Sequence, residues 1–170
     1  ENMIKCIGLS KAKDFDYEDL VDLNRFDVIQ EDVNLLYLEP INEIKNTKAI
    51  FMARSPLASG LLSGKITKKT KFSNDDHRNS WLKEERLKSL IKRIDVIKQN
   101  SDMELNILAI KFLLNLKNID KIIFGVKKIE HIKNIIDIIS DYKLNDNVIQ
   151  KFKELYEKDF GLIDEKQYSY

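Results

Sequence analysis

What most constrains this chain is an alternation. Four short apolar runs, "IKCIGL" at residues 4–9, "FDVIQ" at 26–30, "AIFMA" at 49–53 and "IDKIIF" at 119–124, are separated by stretches whose apolar residues recur at helical intervals. Runs of this length, bounded by Gly, Ser, Pro or charge, read as strands, and strands that are apolar throughout read as covered on both faces. Helical spacing predicts helices over 16–23, with Asp14 or Asp16 as N-cap, and over 40–45, with Pro40 in the first turn. Trp81, Leu87, Leu90, Ile91, Ile94 and Ile97 predict a helix over 81–99 with one wet face, and "LNILAIKFLLNL", behind Ser101 or Asp102, predicts one that is buried nearly all round. Ile129, Ile132, Ile135, Ile136 and Ile139 form one stripe of a further helix, and residues 148–157 form the last. The order is βαβαβ, a loop, then ααβαα. It implies an α/β protein with a parallel sheet, either doubly wound or part of a barrel.

In both architectures ligands collect at the carboxyl ends of the strands. Here those ends are "GLSK" at 8–11, Gln30, "RSPL" at 54–57 and "GVK" at 125–127. Polar, backbone-exposing or cationic groups stand at all four, which points to one ligand with amide-like and anionic parts.

Composition narrows the classes. A length of 170 residues with 43% hydrophobic content is enough for one domain with a real core. The formal net charge of +1 leaves no global field to draw nucleic acid or an anionic membrane. The single Cys6 forms no internal disulfide, and no apolar run is long enough for a bilayer. The expectation is a soluble cytoplasmic protein. Because the first residue is Glu1 and a strand follows almost at once, the sequence also reads as a chain entered partway through.

Of five Gly and two Pro, two Gly and one Pro fall inside "FMARSPLASGLLSGK" at 51–65, a strand emptying into a shaped loop. It is no P-loop: three residues separate Gly60 from Gly64, and Ile66 rather than Ser or Thr follows Lys65. No G-x-G-x-x-G is present either. His77 and His131 have no metal-ligand spacing to each other or to Cys6, so no metal site is expected. Asp75/Asp76, Glu84/Glu85 and the basic run at 65–71 read as solvated charge, with Lys65 set apart by its tie to the glycine loop.

Taken together, "FDVIQEDVNLL", "ARSPLASGLLSGK", "FSNDDHR" and "IFGVKKIEHIKN", in this order and at these distances, resemble the C-terminal half of an aldo-keto reductase. The resemblance covers essentially the whole chain. It implies a partial TIM barrel, about the last four βα units with an additional C-terminal helix, in a single domain over 1–170 that needs an N-terminal half. It also implies NADPH (NADP+) as cofactor and an aldehyde or ketone as substrate. By the same resemblance Ser10 and Gln30 meet the nicotinamide carboxamide, which needs a donor and an acceptor in the ring plane, and Lys11, in place of the Asn that normally follows the serine, lies beside them in the cofactor site. Arg54 stands where an aromatic residue often packs on the ring. Ser55, Pro56, Leu57, Ala58, Ser59 and Lys65 line the pyrophosphate, and Gly125 and Lys127 face the 2′-phosphate. His131 and Asn134 hold the adenine end, with Ile135 in place of an amide.

The resemblance assigns no catalytic residue to this chain. The family's Asp, Tyr, Lys and His come from the first half of the barrel, and Tyr17, Tyr37 and Tyr142 fall on helices or loops. The expectation is the NADPH-binding portion of a carbonyl reductase that acts when joined to its N-terminal half or, failing that, self-associates. The alternative is a non-catalytic barrel half that senses the cofactor or serves as an interaction module.

Overall fold

The computed structural model describes residues 3–11 and 22–162. Its centre is a four-stranded parallel sheet, β1 (Gly8–Ser10), β2 (Val28–Asp32), β3 (Ile50–Arg54) and β4 (Lys121–Ile122), in the order β1-β2-β3-β4. Sequential order with parallel pairing is what successive βα units give when each crossover advances one strand in the same direction, as along the wall of a barrel. The register aligns Ser10, Gln30 and Met52, and sets Asp32 opposite Arg54.

Burial alternates along the strands. Ile29, Glu31, Phe51 and Ala53 are buried, while Val28, Gln30, Asp32, Met52 and Arg54 are half-buried and Ile50 is exposed. One face therefore packs under helices and the other is open. Sequence expects cover on both faces, because β-branched and aromatic residues stand at successive strand positions. The open face carries its own apolar residues, Val28, Ile50 and Met52, and this gives the runs their unbroken appearance.

The covered face meets α3 (Glu84–Gln99) through Leu87, Leu90, Ile91, Ile94 and Ile97, and α4 (Leu105–Leu114) through Leu108, Ala109 and Phe112 in one core. The last helix, α6 (Asp146–Glu157), joins the same core with Ile149, Phe152 and Tyr156, its Phe152 ring edge-on to Phe112 at 6.4 Å. The short α1 (Pro40–Glu43), with Pro at its start, follows β2 as expected and runs into a 3-10 turn at Ile44–Asn46. The helix expected at 16–23 falls largely outside the described residues, which resume at 22 with a 3-10 turn at Leu23–Arg25.

Several boundaries differ from the sequence reading. The helix expected over 81–99 is two, α2 (Arg78–Trp81) and α3, because Leu82 leaves helical geometry at φ −94 and ψ 65 between them. Helix α4 starts behind Glu104 without a side-chain cap, not at Ser101 or Asp102, while α6 is capped by Asn145, whose side chain accepts from the Asn147 N–H. The isoleucine stripe on α5 (Ile129–Ser140) does not face the core. Ile138 is buried, whereas Ile129, Ile132, Ile136 and Ile139 are 68%, 44%, 58% and 42% exposed.

Candidate functional site

At the carboxyl ends of β1, β2 and β3 one guanidinium ties the strands together. Arg54 Nε and Nη2 donate to the two Asp32 carboxylate oxygens at 3.3 and 3.2 Å. Its Nη1 donates to Ser10 Oγ at 3.0 Å and to the Gln30 carbonyl at 3.3 Å, and Nη2 donates also to the Lys11 carbonyl at 2.6 Å. These five bonds match the five N–H donors of an arginine, so the group is held flat with its hydrogen-bonding capacity spent inside the protein. Ser10 and Gln30, expected to act together, do share the open face and one register position. The Ser10 oxygen accepts from Arg54, which leaves its O–H to donate outward.

Lys11 goes the other way. As the next residue along an extended chain its side chain crosses to the helix-covered face, where its ammonium lies 3.4 Å from Glu31 and hydrogen-bonds Glu43 of α1. Burial pulls the Lys11 pKa down, but Glu43 and Glu31 more than offset this and leave it raised. Burial pushes the Glu31 carboxyl up, with Lys11 opposing. The Lys11 side chain thus serves a buried charge cluster behind the sheet and not the open face that Ser10 and Gln30 share.

The loop after Arg54 turns on left-handed residues. Ser55, Ala58 and Ser59 have φ of 54, 50 and 53, and Gly60 and Gly64 have φ of 93 and 79. A non-glycine residue in this region costs on the order of 1–3 kcal/mol and persists only where its surroundings hold it. Here the holder is visible. Arg78 Nη1 donates to the Ser59 carbonyl at 3.1 Å, its Nε and Nη2 grip Asp76, and its guanidinium lies over the Phe72 ring at 4.5 Å. Hydrogen bonding from Arg78 holds the Asp76 carboxyl well below the usual carboxylate range, so Asp76 is a structural partner and not idle surface charge. Beside this latch runs an open groove of about 520 Å³ that includes Ser63, Lys65, Thr70, Lys71 and Ser73, a lining suited to an anion. Pro56 and Ala58 are buried, so their side chains belong to the core, while Ser55, Leu57 and Ser59 are half-buried and Lys65 is exposed.

The remaining expected residues lie elsewhere. Gly125 and Lys127 are exposed on the loop from β4 to α5, and His131 and Asn134 are exposed one turn apart on α5. They form a second surface beside β4. Ile135, next to Asn134, is half-buried. Tyr37 is half-buried just past β2, and burial, with Glu31, Glu39, Glu43 and Asp32 nearby, pushes its hydroxyl far above the usual range. That is the wrong direction for a proton donor. Tyr142 is an exposed loop residue, and Tyr17 lies outside the described residues. Among the described residues no group of three His, Cys, Asp or Glu is placed to hold a metal, and no helix is long and apolar enough to cross a membrane.

Residues 3–157 match the sequence profile of the Aldo/keto reductase family. The chain belongs to this family. Compared with a glycerol dehydrogenase from Gluconobacter oxydans, this aldo/keto reductase chain gives a TM-score of 0.57 at 18% identity, over 81% of its own length and 44% of that protein's. An aldo-keto reductase from Bacillus halodurans gives 0.59 at 15% identity in its holo form, over 85% and 45%. Its apo form gives 0.60 at 16%, over 90% and 49%. At these identities the likeness carries the fold: a parallel sheet with helices, part of a TIM barrel. The aldo/keto reductase chain spans a little under half the length of these structures. No curated protein matches it.

Two residues of the cluster escape a reading of the sequence. Asp32, inside "QEDV", looks like turn or surface charge, and Asp76 looks like one of two neighbouring solvated carboxylates. The available signal was strand parity: Asp32 stands two residues after Gln30 and so must share its face.

Proposed function

We propose that this chain is the NADPH-binding portion of an aldo/keto reductase, acting in hydride transfer between the cofactor and an aldehyde or ketone. The observation that carries the reading is the strand-end cluster of Ser10, Gln30 and Arg54 leading directly into the left-handed loop at 55–60. The donor set fits the group. Ser10 offers an outward O–H, Gln30 a primary amide on the same face, and the loop with Lys65 offers polar and cationic groups where negative oxygens would lie. When bound, the cofactor supplies the hydride; the residues of this chain bind and orient it. Lys127 at the β4 end suits a 2′-phosphate and so favours NADPH over NADH.

The acid/base residues belong, on this reading, to an N-terminal half of the barrel. Support comes from the coverage of 44–49% of related structures and from the open sheet face, whose two edges are unpaired among the described residues. Titration of NADPH fluorescence tests the cradle. Ser10→Ala and Gln30→Ala should each weaken binding by up to about tenfold, as loss of one hydrogen bond does. Absence of binding at millimolar NADPH overturns the reading.

A further inference from the structure

We propose that the Asp32–Arg54 pair sets which redox state of the cofactor this site prefers. This inference rests on the reading that Ser10 meets the nicotinamide carboxamide. Ser10 Oγ lies 3.0 Å from Arg54 Nη1. A carboxamide bonded to Ser10 therefore lies within two hydrogen-bond lengths, about 6 Å, of a guanidinium that is always charged. The nicotinamide ring is neutral in NADPH and carries a unit positive charge in NADP+. Arg54 acting alone disfavours the oxidised ring, because like charges at this separation repel.

Asp32 opposes that preference. Its two oxygens sit 3.3 and 3.2 Å from Arg54 Nε and Nη2 on the same open face, and its side chain is 13% exposed. The nearby charges Lys11, Glu31 and Glu43 are gathered on the other side of the sheet, where they engage one another. Asp32 is thus the carboxylate on the ring's side of the sheet that offsets the guanidinium. It also fixes the guanidinium plane by a two-point contact, which keeps Arg54 beside Ser10 and not swung into solvent. The pair turns a site biased toward the reduced form into one that accepts both forms of the cofactor.

The two halves of the pair should have opposite effects, which a merely structural role does not produce. The experiment measures dissociation constants of NADPH, NADP+ and 2′-phospho-ADP-ribose, which lacks the nicotinamide, for the protein that carries this chain. Asp32→Asn keeps the shape and one of the two hydrogen-bond acceptors and removes the charge. It should raise the preference for NADPH over NADP+ by about two- to threefold, the value for unit charges about 8 Å apart at the dielectric of water. Arg54→Leu should move the preference toward NADP+. Binding of 2′-phospho-ADP-ribose should stay unchanged in both and certifies that each variant is folded. If Arg54→Leu fails that check, Asp32→Asn decides alone. A preference unchanged in folded Asp32→Asn overturns the inference and leaves the cofactor reading standing. A wild-type protein that binds none of the three ligands overturns both.

Discussion

At the scale of single residues the molecule is organised by charges whose partners are few and definite. Asp76 is the sharpest case. Its carboxyl is held below its ordinary value of 3.8 by Arg78, so the stabilisation it contributes is complete above that value and is lost only as pH falls through the lower, folded one. Carbon-detected titration of Asp76 should show it still ionised below 3.8, and Arg78→Lys, which loses the two-point grip, should bring it back up. Glu31 behaves in the opposite sense. Burial raises its folded value above 4.5, so the folded state binds the proton more readily than the unfolded chain, and stability grows as pH falls from the raised value toward 4.5. Thermal unfolding midpoints across that window should show the slope in the wild type and a flatter one in Glu31→Gln. Neither behaviour is written in the sequence. "DDHR" and "QED" show charge, but only the sheet register and the loop's path decide whether a carboxylate is buried, paired or idle.

At the scale of elements the sequence was a good guide to existence and a poorer one to ends and orientation. The strands β2 and β3 both run past the expected runs into Glu31, Asp32 and Arg54, because ladder hydrogen bonds continue through polar residues that carry no apolar signal. Helix α5 has the clearest periodicity of any helix here, yet the stripe faces outward; periodicity reports that a face wants cover and not which cover it has. The join between α3 and the end of α6 was not legible at all. Arg93, fully buried on α3, donates from Nε and Nη2 to Asp159 at 3.0 and 2.6 Å and from Nη1 to Ser89 Oγ at 2.6 Å. An Arg beside Lys92 in an amphipathic helix gives no sign of a partner sixty-six residues on. Asp159→Ala removes the two-point carboxylate partner of a fully buried guanidinium, and should cost about 3–5 kcal/mol in urea unfolding.

At the scale of the whole molecule the described part is an arc and not a closed barrel. Among the described residues strand β1 pairs only with β2, and β4 only with β3. Parallel edges of this kind recruit further strands. Ile50 on the open face is 46% exposed, Ile7 beside β1 is 50% exposed, and the α5 stripe adds a third apolar surface. Sedimentation velocity on the isolated chain should show association that an added N-terminal barrel half suppresses. A stable monomer that binds no hydrophobic dye would count against the missing-half proposal. The functional reading was legible in the sequence to the extent that four blocks preserve their order; the geometry that joins Ser10 to Asp32 through Arg54 was not.

The left-handed turn at Ser55, Ala58 and Ser59 has a practical consequence for anyone who maps this surface by mutagenesis. An alanine scan of the loop reads two different quantities: at Ser55 and Ser59 alanine keeps the Cβ and removes the hydroxyl alone, whereas at Gly60 it adds a Cβ at φ 93, 3.3 Å from Arg78 Nη1. Alanine is the clean probe at Ser55 and Ser59, where affinity lost reports the missing hydroxyl, while affinity lost on substituting Gly60 reports a displaced backbone.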